Sequence, residues 1–366
     1  MPKHADISRD LRREIASGKY AASGRLPSEA QIVERFGVSR PTAAQALRTL
    51  QQEGLIERRP GSGTYLSHAN GLHAAATLRR LGMIVPGLGQ IEIFDIICGE
   101  LASLARVHDF GMHWGGTPQA GSTTIGPGEA EELCDRYIEA DIRGVFFAPF
   151  EFTPDNEAAN RRITERLSKA GIQVVLLDRD TCAFPQRSRF DLVGIDNFAG
   201  GYLAARHLIK LGARRLNFVS RPFSATTVDA RRAGAATALR DARLEVPGDF
   251  VQQGDFSDNS FVRHLTAARR LDAVICANDL TAAQLLQTLP RAKLSCPRDL
   301  RIVGFDDLRF ATLLSVPLTT IHQPCREIAL TAFNAMRERL ADPTLPPRSI
   351  LLPPRLVVRE SCGAYK

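Results

Sequence analysis

From residue 78 onward, eight apolar runs of four or five residues alternate with longer stretches of helical periodicity. The runs are 81–85, 111–114, 145–148, 174–178, 192–195, 216–220, 273–277 and 302–305. The helical stretches are 94–108, 129–140, 155–170, 198–210, 228–240, 260–268, 279–289 and 327–340. Runs that are hydrophobic throughout, instead of at every second position, belong to strands covered on both faces, and helices between them predict parallel sheets. About 290 residues of this pattern exceed one sheet and suit two similar lobes. In such sheets ligands bind outside the carboxyl ends of the strands.

Those ends carry polar chemistry. After the first run come Gly87, Gln90 and Glu92, and the fourth ends in Asp178-Arg179-Asp180. Further on stand Arg231, Phe256, Asn278-Asp279 and Asp306-Asp307. Taken singly, each has a plain structural role: Asp279 caps its helix, Asp178 ties down a loop, Arg231 is solvated. Taken together, carboxylates, an amide and an arginine bind vicinal hydroxyls, and an aromatic face stacks on a sugar ring. Gln90, Glu92, Asp178, Arg231, Phe256, Asn278 and Asp306 are therefore the expected effector-binding set, with Arg231 and Asp306 placed on opposite cleft walls.

The first 66 residues read differently. Ser28 is an N-cap with Gln31 three residues later, a capping-box pattern. Ala30, Ile32, Val33 and Phe36 then line one helix face, and Gly37 ends it. Ser39 caps a second helix that tolerates Pro41 in its first turn. Its Ala43, Ala46, Leu47 and Leu50 face inward, leaving Arg40, Thr42, Ala44, Gln45 and Arg48 outward, and Gly54 stops it. A preceding helix capped by Asp6 and ending at Gly18 packs behind this pair through Ile7, Leu11 and Ile15. Residues 55–59 and 64–66 read as strands joined by Pro60-Gly61-Ser62-Gly63, a glycine-tipped wing flanked by Arg58 and Arg59. A helix-turn-helix followed by a basic wing fits a DNA major groove. The expected DNA contacts are Ser28, Ser39, Arg40, Thr42, Gln45, Arg58, Arg59, Gly61, Ser62 and Gly63.

Charge agrees with that placement. Residues 1–66 hold eleven basic against seven acidic side chains, four of the chain's net +7 in under a fifth of its length. The segment 67–77 has an Asn-Gly turn signal and no apolar periodicity, so it reads as a linker. No apolar run reaches the roughly 18 residues of a membrane span. The N-terminus lacks the pattern of a secretory signal. Seven scattered cysteines without a CxxC read as reduced, mostly buried thiols in cytoplasm. The eight histidines show no ligand spacing, so no metal is expected. Glycine-bearing turns at 126–129 and 194–201 lack the Lys-Ser/Thr of a phosphate loop, and no nucleophile spacing is visible; neither cofactor nor catalysis is expected.

Two family resemblances attach to these residues. Leu26-Pro27-Ser28-Glu29, Phe36-Gly37-Val38-Ser39-Arg40, Glu53-Gly54-Leu55-Ile56 and Gly61-Ser62-Gly63-Thr64 resemble the winged helix-turn-helix of GntR-family regulators across 7–66. That resemblance implies DNA contacts at Ser39, Arg40, Thr42, Gly61 and Gly63, although Ala30 and Ala44 stand where members often carry Arg. Residues 79–360 resemble the effector domain of the LacI family, itself similar to periplasmic sugar-binding proteins. The matching segments are LGMIVP, GIQVVLLDRD, VGIDNFAGGYLAARHLIKLGARRLNFVS, DARRAG, CANDLTA, VGFDDL and PLTTIHQP. They imply effector contacts at Asp178, Arg231, Phe256, Asn278 and Asp306; residues 87–94 and Ala235 depart from the family pattern.

The fold implied is α/β, a two-lobed type I periplasmic-binding-protein-like domain with parallel sheets behind a small winged helix-turn-helix (α+β) domain. Its parts are 1–66 for DNA binding, 67–77 as linker, and 78–366 for effector binding and dimerisation. A homodimeric, sequence-specific transcriptional repressor follows, with a double-stranded DNA operator and a monosaccharide or derivative as small-molecule effector. The arrangement is that of AraR-type regulators, which makes a pentose the first expectation. A purine-like corepressor is the nearest alternative; a soluble sugar-binding protein and a cytosolic enzyme are more distant ones.

Overall fold

The computed structural model describes residues 3–16, 19–20, 24–52, 55–59, 63–66, 79–86, 92–115, 125–151, 153–267 and 271–365. The chain divides into two compact units, Met1–Arg79 and Arg80–Lys366. The linker expected at 67–77 lies outside the described residues, as do Gly18, Gly54 and Gly87.

The first unit contains α1 (Lys3–Ala16), α2 (Glu29–Phe36), α3 (Arg40–Gln52), β1 (Ile56–Arg59) and β2 (Gly63–Leu66). Ser28 caps α2 through a complete capping box with Gln31, and Gly37 closes it at φ 58°. Ile7, Leu11, Ile15, Ile32, Ala43, Ala46, Leu47 and Leu50 form its core with Ile56 and Leu66. Two local expectations need correcting. Asp6 sits inside α1, which already begins at Lys3, and its carboxylate pairs with Arg9 at 2.8 Å. Ala30 is exposed, because the α2 stripe that meets the core is carried by Ile32 with Val33 and Phe36 beside it.

The second unit holds two six-stranded sheets. The first lobe's sheet runs β13-β7-β6-β5-β3-β4, from β3 (Arg79–Ile84), β4 (Phe110–Trp114), β5 (Gly144–Phe147), β6 (Gln173–Leu177), β7 (Asp191–Ile195) and β13 (Ser349–Leu352). The second runs β14-β12-β11-β10-β8-β9, from β8 (Leu216–Ser220), β9 (Val251–Gln253), β10 (Ala273–Cys276), β11 (Arg301–Asp306), β12 (Thr319–His322) and β14 (Arg355–Val357). Helices α4 (Glu92–Val107), α5 (Pro127–Glu139) and α6 (Pro154–Lys169) belong to the first lobe. So does α11 (Cys325–Ala341), which returns from the second lobe to pack on α4 and β6. Helices α7 (Asn197–Lys210), α8 (Thr226–Asp241), α9 (Asn259–Ala267) and α10 (Asp279–Thr288) cover the second. The chain thus crosses between lobes three times: after β7, after β12, and between β13 and β14.

The sheets are parallel, with one exception among the described pairs: β14 runs antiparallel to β12 at the sheet's edge. β14 follows β13 by two residues but belongs to the other sheet, so the chain passes from the first lobe's sheet into the second's and runs there opposite to β12.

Candidate functional site

In the first unit, Ser39, Arg40 and Gln45 are exposed and Thr42 half-buried, all at the start of α3. The Ser39 hydroxyl lies 2.8 Å from that of Thr42. Ser28 is exposed but spends its side chain on the α2 cap. Arg58 is not available as a free cation: it forms an ion pair with Glu29, fastening β1 to the start of α2. Arg35 and Lys19 are likewise held by Glu14, whose carboxyl the Arg35 guanidinium keeps far below the usual range. Arg59 ends β1 and Gly63 opens β2, whereas Gly61 and Ser62 lie outside the described residues.

In the second unit the strand ends converge. Arg231 is buried on α8, where its Nε donates to Asn197 Oδ1 at 2.8 Å and its Nη1 to the Ala277 carbonyl at 2.6 Å. Its guanidinium lies 3.6 Å from the Phe305 ring centroid and 3.8 Å from Asp306 Oδ1. The close approach of α7 fixes this helix: a β-carbon on Gly201 would stand 1.9 Å from the Arg231 carbonyl oxygen. Burial pushes the Asp306 carboxyl up to about 6 while Arg231 pulls it down, and Gln323 Nε2 donates to it at 2.7 Å. Arg231 and Asp306 therefore stand side by side on the second lobe, not on opposite walls as expected. β11 and α8 belong to the same lobe, a fact hidden by the chain's repeated crossings.

The first lobe supplies Asp178 and Arg179 at the end of β6, each about 5% exposed. Arg179 Nε lies 3.3 Å from Asp178 Oδ2 without hydrogen-bond alignment, and both Asp178 Oδ1 and Arg179 Nε lack a hydrogen-bond partner. Burying such groups unpaired costs about 1–3 kcal/mol each, more when charged. A cavity of about 90 Å³ adjoins them, lined also by Asn197, Thr226 and Thr227. Asp178, Asp306 and Asp307 hold φ values of 66°, 113° and 61°. Backbone strain of this kind gathers at functional sites.

The remaining expected residues are placed less simply. Phe256 is fully buried and packs edge-on against Phe261, 5.3 Å between centroids, so its ring belongs to the outer core of the second lobe. Asn278 caps α10, accepting from Thr281 N at 2.8 Å. Glu92 bridges the lobes: its carboxylate accepts from Arg309 N at 3.2 and 3.3 Å and pairs with Arg309 Nε at 3.2 Å. Gln90 lies outside the described residues. Asp279, expected as a cap, is instead buried between Thr320 Oγ1 at 2.6 Å and Leu308 N at 2.9 Å, and burial pushes its carboxyl up to about 8. Arg179, Asn197 and Gln323 were not in the expected set. Arg179 was within sight, as the middle of Asp178-Arg179-Asp180; Asn197 and Gln323 lie on lobe crossings, where no strand pattern points to them. Among the described residues, no group of three His, Cys, Asp or Glu side chains is placed to hold a metal ion.

Comparison with known proteins follows these two units. Residues 3–66 match the model for bacterial regulatory proteins of the gntR family, and residues 205–362 that for a periplasmic binding protein-like domain. The chain is 37% identical over 172 residues to the HTH-type transcriptional repressor PurR of Escherichia coli O1:K1 / APEC, covering 46% of this chain and 50% of that one. The chain joins a unit that matches the gntR-family model to a two-lobed unit that matches, in part, a periplasmic binding protein-like domain. It spans about half the length of the curated relatives it matches. Among solved structures, a complex of the transcriptional regulator CelR with cellobiose superposes with a TM-score of 0.66 at 22% identity, over 88% of this chain and 91% of that one. A ribose-bound LacI family regulator from Enterococcus faecium gives 0.62 at 23%, over 78% and 100%. For the second unit these likenesses concern fold. No helix among the described residues is long and apolar enough to cross a membrane.

Proposed function

We propose that this protein is a ligand-responsive transcriptional repressor that binds an operator as a homodimer through its winged helix-turn-helix domain. A small neutral polyol, with a pentose as first candidate, binds between the lobes of the LacI-type domain and changes operator affinity. The domain order, a GntR-type reader before a LacI-type sensor, is that of AraR-type regulators. The observation that carries the ligand class is the buried, unpartnered pair Asp178 Oδ1 and Arg179 Nε beside the cavity. One group accepts and the other donates, and a sugar hydroxyl can meet both.

A planar base fits less well. The Phe305 face is taken by Arg231, Phe94 has the Arg179 guanidinium 5.4 Å away, and Phe256 is buried against Phe261. At about 90 Å³ the cavity has room for about three waters. A sugar therefore requires the lobes to part and reclose around it, and that motion is what reaches the DNA reader.

The test joins two measurements. Thermal unfolding is followed with ribose, arabinose, cellobiose, sugar phosphates and purines, and duplexes are selected from a random pool with and without each stabilising compound. A true ligand at 100 times its Kd adds about 2.7 kcal/mol of stability and changes retention of the selected duplex. A protein that prefers no duplex over the random pool, whatever compound is added, overturns the proposal.

A further inference from the structure

The cavity beside Asp178 and Arg179 is bordered by two exposed aromatic residues. Phe184 and Phe198 both line it, and they are 36% and 39% exposed. One exposed phenylalanine is ordinary on a protein surface. Here two border a single cavity whose lining also holds the buried Asp178 Oδ1 and Arg179 Nε, neither with a hydrogen-bond partner among the described residues. Unpaired polar atoms and uncovered apolar rings thus meet at one place. Among the described residues, neither ring has an aromatic or cationic partner.

Each ring is carried by a braced piece of backbone, one in each lobe. Phe184 lies in the connection from β6 to β7, in the first lobe. Asp180, 5% exposed, ties that connection together. Its Oδ1 accepts from Cys182 N and from Ser188 N, both at 3.2 Å, and Gln186 N donates to the Ala183 carbonyl at 2.8 Å. Phe198 is the second residue of α7, in the second lobe. Asp196 caps that turn by accepting from Ala199 N at 2.9 Å. A β-carbon on Gly234 would stand 1.9 Å from the Phe198 carbonyl oxygen, so α8 presses on the backbone there. Backbone held in this way presents a ring with little left to order on binding. The other aromatic candidates are spent: Phe256 packs on Phe261, and the Phe94 and Phe305 rings lie under Arg179 and Arg231.

We propose that Phe184 and Phe198 are the apolar contacts of the ligand site, and that the ligand is a ring sugar whose C–H face they cover while a hydroxyl meets Asp178 and Arg179. The inference rests on the sugar-responsive reading above and deepens it, from polyols at large to cyclic ones. A pyranose holds its C–H groups on fixed faces and its hydroxyls around the edge. An open-chain alditol carries the same hydroxyls without a fixed apolar face. Aromatic faces therefore select ring over chain. A purine stacks on the same rings, so it enters the test as the competing occupant.

The full-length protein is titrated calorimetrically with D-ribose, L-arabinose and D-xylose, with ribitol, arabinitol and xylitol, and with adenine and guanine. The parent is expected to bind at least one pentose, and that pentose more tightly than its alditol. Phe184→Leu and Phe198→Leu keep an apolar side chain and lose the ring. Each is expected to weaken that pentose about two- to tenfold, and to leave its alditol and the ligand-free Tm nearly unchanged. Phe198→Tyr, which keeps the ring, is expected to bind as the parent does. The assignment is overturned by Leu variants with parental affinity, by equal binding of pentose and alditol, or by a Tyr variant as weak as the Leu one. Leu variants that only lower the ligand-free Tm show rings that cover each other, and overturn it too. A parent that binds no pentose, or binds a purine instead, overturns the sugar reading itself, before any variant is made.

Discussion

Replacing Arg231 by Met tests whether the cleft floor is one coupled polar unit. The substitution roughly keeps side-chain length but withdraws the donors that now serve Asn197 Oδ1 at 2.8 Å and the Ala277 carbonyl at 2.6 Å. It also strips Asp306 of the cation 3.8 Å away, leaving Gln323 as its hydrogen-bond donor. Breaking a buried pair from one side costs about 3–5 kcal/mol. Simple addition of every lost contact overshoots, because burial already penalises the Arg231 charge and that penalty vanishes with it. The sign of the pH effect follows from Asp306, raised from 3.8 to about 6 by burial. Between those values the native carboxyl holds a proton that the unfolded chain has released, so this group's contribution to stability falls as pH rises through that window. Without Arg231 the upper bound of the window moves higher. The deficit of Arg231→Met should therefore be larger near pH 8 than near pH 5, where Asp306 is mostly neutral in both proteins. Asp306→Asn and the double variant complete a cycle, read by urea unfolding followed with circular dichroism. The double variant is expected to recover about 1–3 kcal/mol relative to the sum of the singles. Additivity within about 0.5 kcal/mol, together with a deficit flat in pH, would show that the two groups do not share a unit.

Two further substitutions address neighbouring contacts. Glu92→Gln weakens the bridge between α4 and the second lobe. Arg309 is 86% exposed, so its ion pair counts for little, and the charge-assisted bond to Arg309 N is the larger part. The ligand-free variant should show a larger radius of gyration in solution scattering; one equal to the parent's removes the bridge as a clasp. Asn278→Ala should cost about 1 kcal/mol through loss of the α10 cap, seen as a fall of about 2–4 °C in Tm. Asn278→Ser should restore most of it, and failure to do so refutes the capping role.

Legibility in the sequence tracks how local each determinant is. α2 was readable at both ends because Ser28, Gln31 and Gly37 act within a few residues of each other. β3, β5 to β8, β10 and β11 were readable, to within a residue or two, because their burial on both faces demands continuous apolar side chains; β4, an edge strand with no fully buried residue, was found from its apolar residues alone. β12 was not. Its buried Thr319 and Thr320 are tolerated because their hydroxyls reach the Arg359 carbonyl and Asp279, partners 40 and 41 residues away. β13 and β14 are short edge strands with no fully buried residue, so no periodicity announces them. Phe256 shows the converse limit. A strand-end aromatic fits a sugar-stacking role on paper, yet Phe261, five residues on, turns it into core.

The crossings explain both what sequence missed and why the site is where it is. The chain passes between lobes after β7 and after β12 with a polar residue beside each passage, whereas the third passage, between β13 and β14, is Pro353-Pro354. Asn197 follows the first passage and Gln323 the second, and each hydrogen-bonds one member of the Arg231–Asp306 pair, at 2.8 and 2.7 Å. The residues beside these two passages are thus the ones that hold Arg231 and Asp306 in register. On the proposed reading, a ligand that engages Arg231 and Asp306 acts beside the joint between the lobes. Coupling between ligand and lobe angle then needs no separate relay, because the hinge side chains and the floor of the cleft are joined by single hydrogen bonds.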